Sequence, residues 1–315
     1  MLSDFRTPEA LWAAIDSRIA KRVAADPSLN KAVLQRQLCY ERFLARIFSV
    51  EGDWVLKGGT ALLVRARSAR HSKDIDLFLR QGAVTEAVAE LTELAATDLG
   101  DHFRFVAALH QVGEERPRSG GAQVATVRVD GYVGARRKFE FTVDTVVGSI
   151  ITAEPEYLVP EPIVEIGGLT TPRFRLYPIV DHIADKLCAT FELFGRRGGA
   201  STRVRDLVDL VVIARTQSVD ALTLRNAIEA ERSHRELQPI TEYRTPAAWQ
   251  STYSRAARGV ADCVEHQRYA EAVELIRRFL DPVLSGALTD GVWRPDRLAW
   301  DAEPFTRRRD VGGST

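Results

Sequence analysis

Cysteines and long apolar runs are scarce in this chain of 315 residues. The three cysteines, Cys39, Cys188 and Cys263, are odd in number, far apart and outside CxxC spacing. This argues against a disulfide framework or a zinc site and fits a reducing compartment. No run approaches the roughly 20 apolar residues that span a membrane, and the N-terminus mixes charges into its apolar positions, unlike a signal peptide. The sequence therefore predicts a cytoplasmic protein with no membrane partner.

Net charge is also lacking, because 43 basic and 43 acidic side chains balance to zero. A global basic field is therefore absent, and any nucleic-acid site must be a local patch. Neither the P-loop spacing nor the GxGxxG dinucleotide fingerprint occurs. The composition, with 45% hydrophobic and 27% charged residues, is typical of a globular chain. The length allows one large domain or two smaller ones.

The first half of the chain mixes helical and strand patterns. Thr7 and Pro8 mark a helix start, with Thr at the N-cap and Pro at the first helical position. Apolar residues then recur at helical spacing. Further helices are predicted at about Asn30–Val50, Ala61–Ala66 and Val84–Leu99, and strands at Trp54–Leu56, Ile75–Leu79, Phe103–Ala108, Gln123–Asp130 and Lys138–Val147.

The second half is predicted to be helical. Before it, Glu154 to Pro178 holds five prolines in 25 residues, which we interpret as a linker. The predicted domains are residues 1–155, strands with N-terminal helices, and 156–315, mainly helical. The helices of the second domain are predicted at Pro178–Phe194, Val204–Thr216, Val219–Glu231, Ala247–Glu265 and Ala270–Leu284.

Asp74 and Asp76 are the first candidates for chemistry. Residues two apart in a strand point to the same face, and the apolar sequence around them is typical of a strand. Two like charges so close are costly unless a cation lies between them. Mg²⁺ takes oxygen ligands, often one or two carboxylates plus substrate phosphates.

The pair Gly58-Gly59 precedes these carboxylates, between a predicted strand and a predicted helix. Glycines there let backbone N–H groups approach a phosphate, and the N-terminus of a helix favours an anion. Most such pairs are only turns, and a surface DxD is common. The position of Asp74, 15 residues after Gly59 on an adjacent predicted strand, favours the functional interpretation.

Two further side chains extend this group. Ser72 is placed to hydrogen-bond a phosphate or a metal-bound water, or only to form a turn that enters the strand. Asp144 lies on the strand Lys138–Val147, where Phe139 and Val143 alternate with polar residues. It is therefore a candidate third carboxylate, although a surface aspartate is nearly as good an interpretation.

Four short motifs resemble a known family. GGTAL at residues 58–62 and SKDIDL at 72–77 resemble the nucleotidyltransferase superfamily with the DNA polymerase β-type fold. ADKLCA at 184–189 and RDLVDL at 205–210 narrow the resemblance to the AbiEii-type toxins of type IV toxin–antitoxin systems, including the mycobacterial MenT toxins. The similarity spans about residues 54–214. It implies an α+β (α/β) fold: a polymerase β-like mixed sheet flanked by helices, then a C-terminal helical bundle that completes the active-site cleft.

The resemblance also implies roles for the later motifs. Lys186 and Asp206 match active-site positions, with the lysine next to the triphosphate. Asp209 matches less closely. Asp206 and Asp209 share one helix face, where one of them could pair with Lys186 or Arg205, and a structural salt bridge is a strong alternative for Asp209. The predicted catalytic residues are Asp74, Lys186, Asp206 and Ser72; the predicted phosphate-binding residues are Lys57, Gly58, Gly59, Thr60, Ser72 and Lys186; the predicted metal ligands are Asp74, Asp76 and Asp144.

The implied reaction is transfer of NMP from an NTP to an RNA acceptor, favouring the 3′ end of tRNA, with Mg²⁺ or Mn²⁺ as cofactor. Such a toxin would block aminoacylation and need a cognate antitoxin as partner. The alternatives are nucleotidylation of a protein or small molecule, as in AMPylation, and a non-catalytic GTP- or RNA-binding module. Basic clusters that are candidates for RNA contact are Arg65/Arg67/Arg70, Arg136/Arg137/Lys138, Arg196/Arg197 and Arg203/Arg205.

Overall fold

The computed structural model describes residues 5–66, 69–113, 123–148, 150–193 and 199–301. The chain divides into two compact units. The first comprises Met1–Pro178 with the short segments His234–Glu236 and Gly259–Ala261, and the second comprises the remainder. In the described part of the chain, no helix is both long enough and apolar enough to cross a membrane.

Two capped helices open the first unit, at about the predicted positions, and the cap at Thr7 was itself predicted. Helix α1 spans Pro8–Ala25, and the Thr7 side chain accepts a hydrogen bond from the Ala10 N–H. Helix α2 spans Lys31–Ile47 and is capped in the same way by Asn30. These side chains satisfy N–H groups that have no partner inside the helix. The later helices of this unit are α3 (Gly58–Arg65) and α4 (Val84–Ala95).

A seven-stranded mixed sheet forms the centre of the first unit, with strand order β3-β4-β5-β2-β1-β7-β6. Strand β2 is antiparallel to β1 on one side and parallel to β5 on the other. The mixed sheet flanked by helices confirms the predicted fold class. The strands are β1 (Val55–Lys57), β2 (Ile75–Leu79), β3 (Phe103–Val112), β4 (Gln123–Val133), β5 (Arg136–Val147), β6 (Glu156–Leu158) and β7 (Phe174–Leu176).

The two faces of the sheet differ. Leu56, Ile75, Leu77 and Val143 point into the main hydrophobic core, where they are fully buried with side chains of α1, α2 and α4. The opposite face carries only a small apolar cluster of Val55, Phe78 and Tyr177. Side chains alternate between the two faces along a strand. Asp76, and the residues that pair with it on the neighbouring strands, therefore lie on this second face and outside the main core.

The interpretation of Glu154–Pro178 as a linker is wrong. The segment contains β6 and β7, and β7 pairs in parallel with β1. Its loop is tied to α2 by Glu41, which accepts hydrogen bonds from the Ile163 N–H (3.1 Å) and the Thr171 hydroxyl (2.8 Å). Five prolines are compatible with this because they lie outside both strands. The chain divides after Pro178 rather than at residue 155.

The second unit is mainly helical, as predicted, but two of its predicted helices differ from the structure and it also contains strands that were not predicted. The predicted helix Ala247–Glu265 is divided into α8 (Trp249–Ala256) and a 3₁₀ helix, and the predicted helix Val219–Glu231 begins with strand β8 (Val219–Asp220). β8, β9 and β10 form a three-stranded antiparallel sheet. The indole N–H of Trp293, on β9, donates to the Ala214 carbonyl at 2.7 Å. The elements are α5 (Ile179–Phe191), α6 (Val204–Thr216), β8 (Val219–Asp220), α7 (Ala221–His234), α8 (Trp249–Ala256), a 3₁₀ helix (Ala261–His266), α9 (Tyr269–Leu284), β9 (Val292–Arg294) and β10 (Ala299–Asp301).

A buried ion network joins α2 to the start of β3. The Asp101 carboxylate lies 2.7 Å from Arg42 and 2.7 Å from Arg46, and all three side chains are at most 2% exposed. Burial acts to raise the pKa of Asp101, but hydrogen bonds and charges from Arg46 and Arg42 outweigh it and hold the pKa below its ordinary value. The network therefore stabilises the fold at neutral pH. Because the folded-state pKa is the lower one, this contribution is lost as the pH falls through it.

Replacing Asp101 tests this network. Asp101→Ala leaves two buried guanidinium groups without their counter-charge, so we expect the free energy of unfolding to fall by about 3–5 kcal/mol. Urea unfolding followed by circular dichroism measures the change. The matched control is Asp16→Ala, which breaks an exposed ion pair with Lys31 and should cost about 1 kcal/mol or less. Equal losses in the two variants would contradict the role of Asp101.

Candidate active site

Strand register places four polar side chains in a row across the sheet. Asp76 pairs with Lys57 on β1 and with Asp144 on β5, and Asp144 pairs with Thr126 on β4. Directly paired residues share a face of the sheet. The predicted third carboxylate thus lies beside Asp76, as its alternating pattern indicated. Asp74 precedes β2 by one residue, so it is not itself part of the strand that was predicted to carry both carboxylates.

Gly58 is required by its contact with Asp76. A Cβ atom at Gly58 would lie 1.8 Å from Asp76 Oδ2, and the Gly58 φ of +65° also disfavours other residues. Helix α3 begins at Gly58 itself rather than at Ala61, so both glycines form its first turn. The Asp76 carboxylate therefore lies against the N-terminus of a helix, where negative charge is stabilised.

Gly59 brings two more side chains to the same turn. A Cβ atom there would meet the Ser72 hydroxyl at 3.1 Å and the Arg70 guanidinium at 3.4 Å. Arg70 was predicted only as part of a basic cluster for RNA. Its position beside the first turn of α3 makes it a further candidate for contact with an anion.

The carboxylates are oriented by hydroxyl groups. Ser72 Oγ donates to Asp74 Oδ1 at 2.7 Å, and Thr60 Oγ1 donates to the Asp74 carbonyl at 2.9 Å. Thr126 Oγ1 donates to Asp144 Oδ1 at 2.8 Å. Sequence reasoning missed Thr126. Its place in the alternating pattern of β4 indicates that it shares a face with Asp144 once the strand register is known. The predicted phosphate contacts of Ser72 and Thr60 stay predictions, since both hydroxyls donate to Asp74 here.

Lys57 lies at the β1 end of the row of polar side chains. It is the residue before α3, and its ammonium lies 4.3 Å from the centroid of the Tyr177 ring. A cation over an aromatic face is attracted by the ring quadrupole. The lysine is therefore held near the first turn of α3, where a phosphate would add to its interactions.

A divalent cation fits the donor set of this face. Within the parts of the chain that the structure describes, no three His, Cys, Asp or Glu side chains are close enough to hold a metal ion together. The predicted ligands Asp74, Asp76 and Asp144 thus form no ready-made three-ligand site. Mg²⁺ does not need one, because it is commonly bound by one or two carboxylates and completed by waters and substrate phosphates.

The predicted residues of the second unit form a separate group. Lys186 Nζ lies 2.6 Å from Asp209 Oδ2 and 3.2 Å from Asp206 Oδ1, and all three side chains are at most 4% exposed. Arg203 adds a second cation, with its Nε 2.7 Å from Asp206 Oδ2. These ion pairs form the structural salt bridge that the sequence left open. The predicted contact of Lys186 with a triphosphate stays a prediction.

Tyr243 is a further side chain next to this network that sequence reasoning missed. It is fully buried. Burial, followed by the charge of Asp206, raises its pKa well above the usual value. The hydroxyl is therefore a neutral group beside Asp206, and no local motif around residue 243 indicated it.

The residues of the predicted basic clusters have different environments in the structure. Arg65 is buried and pairs with Glu156 at 2.5 Å and with the Tyr177 carbonyl at 2.8 Å, so its predicted role in RNA binding is wrong. Arg137 pairs with Asp130 at 3.0 Å, while its neighbours Arg136 and Lys138 are exposed. The predicted contacts of Arg67, Arg196 and Arg197 lie outside the described residues.

Comparison with known proteins decides the family. A family model described as the nucleotidyl transferase AbiEii toxin of type IV toxin–antitoxin systems matches residues 42–279. The chain belongs to this family. A search of curated proteins gives no match. Membership of the AbiEii family identifies the chain as a nucleotidyltransferase toxin and implies an NTP substrate and an antitoxin partner.

One solved structure supports the fold, and a second gives a weaker alignment. The nucleotidyltransferase toxin MenT4 from Mycobacterium tuberculosis H37Rv aligns over 86% of this chain and 98% of its own, with a TM-score of 0.50 and 19% identity. JHP933 from Helicobacter pylori aligns over 83% of this chain and 95% of its own, with a TM-score of 0.41 and 18% identity. At this identity, the similarity to MenT4 supports the AbiEii fold alone.

Alanine at Gly58 should disturb the AbiEii site more than alanine at a comparable glycine. Gly148 also has a positive φ, +82°, but a Cβ there meets nothing within 4 Å. We expect Gly148→Ala to cost about 1–2 kcal/mol from the left-handed backbone, and Gly58→Ala to cost more because the new methyl overlaps Asp76. Urea unfolding of both variants measures this. Equal costs would show that the contact with Asp76 does not demand glycine.

Removing the Lys186 ammonium should destabilise the second unit. Lys186→Met leaves two carboxylates buried with reduced compensation, so we expect a loss of about 3–5 kcal/mol in the free energy of unfolding. Adding Asp206→Asn and Asp209→Asn to Lys186→Met should recover part of it, because the unpaired charges are then gone. If Lys186→Met is as stable as the unmodified protein, the network does not stabilise the fold.

Proposed function

We propose that this toxin transfers NMP from an NTP to the 3′ hydroxyl of an RNA, with the 3′ end of tRNA as acceptor. The observation that carries the proposal is the row Lys57–Asp76–Asp144 beside the first turn of α3. It combines paired carboxylates for a cation with a lysine and helix N–H groups for phosphate. Family membership supports the transfer chemistry.

The acidic and the basic residues of this face of the sheet have different roles. Asp74 and Asp76 would hold Mg²⁺ or Mn²⁺, which when bound would supply positive charge to the NTP phosphates. Lys57, Gly58, Gly59 and Arg70 bind the phosphates and orient the α-phosphorus. Positioning and electrostatic stabilisation of this kind supply most of the catalysis in phosphoryl chemistry.

The transfer step breaks one phosphoanhydride bond of the NTP and forms one phosphoester bond to the acceptor. The 3′ oxygen of the acceptor bonds to the α-phosphorus, the bond from that phosphorus to the bridging oxygen breaks, and pyrophosphate leaves. The proton of the attacking hydroxyl passes to a carboxylate. Asp144 is placed for this task, because Thr126 occupies its Oδ1 and leaves Oδ2 as the accepting atom.

An RNA acceptor accounts for toxicity. Nucleotides added to the 3′ end of tRNA would prevent aminoacylation and so block translation, and an antitoxin would be needed to restore growth. Arg136 and Lys138, exposed at the start of β5, are available for contact with an RNA backbone.

The assignment is tested by incubating the protein with each labelled NTP, total tRNA and Mg²⁺. We expect one or more nucleotides to be incorporated at the tRNA 3′ end, and Asp74→Ala to reduce incorporation by about a hundredfold or more through lost charge stabilisation. Growth arrest on expression should disappear with it. Asp16→Ala, an exposed aspartate of α1, is the control and should retain full activity.

Two outcomes would contradict this proposal. Label transferred to a protein or a small molecule, with inert tRNA, would favour the alternative nucleotidylation reaction. Full toxicity of Asp74→Ala would separate the growth arrest from nucleotidyl transfer.

A further inference from the structure

The chain enters β2 under restraint from two different helices. Tyr40, on α2, donates its hydroxyl to the Lys73 carbonyl at 2.6 Å. Thr60, on α3, donates to the next carbonyl, that of Asp74, at 2.9 Å. Both side chains are buried, with Tyr40 at 3% and Thr60 at 6% exposure. Two consecutive peptide groups directly before the strand are thus held by side-chain hydroxyls.

The two hydrogen bonds act directly on the carbonyl groups that they hold. Close packing fixes where a segment lies, whereas a hydrogen bond to a carbonyl oxygen also sets the orientation of that peptide group.

The restrained segment includes Asp74, one of the proposed metal ligands. Lys73 and Asp74 lie between Ser72, which donates to Asp74 Oδ1, and the strand that carries Asp76. A shift of the backbone at residue 74 would move the Asp74 carboxylate relative to Asp76. Partners that orient metal-ligating groups in this way often matter nearly as much as the ligands.

We propose that Tyr40 and Thr60 are positioning residues for the proposed transfer reaction: their hydroxyls fix the backbone of Lys73 and Asp74, and thereby hold Asp74 in the geometry that binds the divalent cation. The inference rests on the proposed function for its catalytic meaning. The predicted effect on cation binding does not depend on which acceptor receives the nucleotide.

The chain offers matched variants for a test. Tyr40→Phe removes only a hydroxyl, and Tyr253→Phe removes an equivalent one from a buried tyrosine of the second unit that donates to the His266 carbonyl at 2.9 Å. Thr60→Val removes the hydroxyl at almost constant volume, whereas Thr60→Ser retains it. Each full-length variant is titrated with Mn²⁺ by electron paramagnetic resonance of the free ion, and its thermal midpoint is recorded.

We expect Tyr40→Phe and Thr60→Val to weaken Mn²⁺ binding by about tenfold or more, the usual effect of removing a group that orients a metal ligand. Thr60→Ser and Tyr253→Phe should bind Mn²⁺ as the unmodified protein does. In the transfer assay, the two deficient variants should need a higher Mg²⁺ concentration for half-maximal rate, and excess Mg²⁺ should restore much of kcat. A loss of stability alone would not produce this pattern.

Unchanged Mn²⁺ affinity in Tyr40→Phe and Thr60→Val, with thermal midpoints like that of Tyr253→Phe, would overturn the inference. If Tyr40→Phe does not fold, the comparison of Thr60→Val with Thr60→Ser decides alone. If the unmodified protein binds Mn²⁺ but transfers no nucleotide to any RNA, the proposed function fails while the Mn²⁺ titrations still test the positioning role. Absence of Mn²⁺ binding by the unmodified protein would overturn the inference.

Discussion

The contact between Gly58 and the Asp76 carboxylate is the constraint on which the candidate site depends. With any side chain at residue 58, the carboxylate would be displaced from the N-terminal turn of α3. The absence of a Cβ lets three features converge: a strand carboxylate, a helix N-terminus and the Lys57 ammonium. Each is weak alone, since DxD pairs and glycine turns are common, but their convergence gives a face that suits both a cation and a phosphate.

Buried charge recurs in each unit, and in both cases the charges are compensated locally. In the first unit Asp101 lies between Arg42 and Arg46, and in the second Lys186 lies between Asp206 and Asp209. Desolvation makes an unpaired buried ion costly, whereas a compensated network is tolerated. The Lys186 network therefore has a structural role in the second unit.

The candidate site was only partly visible in the sequence, for a reason that its individual residues show. Asp76 and Asp144 were identified because alternation along a strand reveals which side chains share a face. Thr126 and Tyr40 were missed because their partners are 18 and 33 residues away, and no local pattern indicates which hydroxyl will meet which carboxylate or carbonyl. Arg65 was misassigned for the same reason, since its partner Glu156 is 91 residues away.

The sequence by itself determined the local elements and the family: helix caps at Thr7 and Asn30, the strand alternation of β5, and the motifs around Asp74 and Lys186. These features depend on neighbours within a few residues, where capping and periodicity act. Only the tertiary structure decided the register of β2 between β1 and β5, the inclusion of the proline-rich segment in the sheet, and the partners of the buried charges. Such features depend on hydrogen bonds and ion pairs between distant segments, whose pairing is selected by the packing of the whole unit rather than by any local pattern.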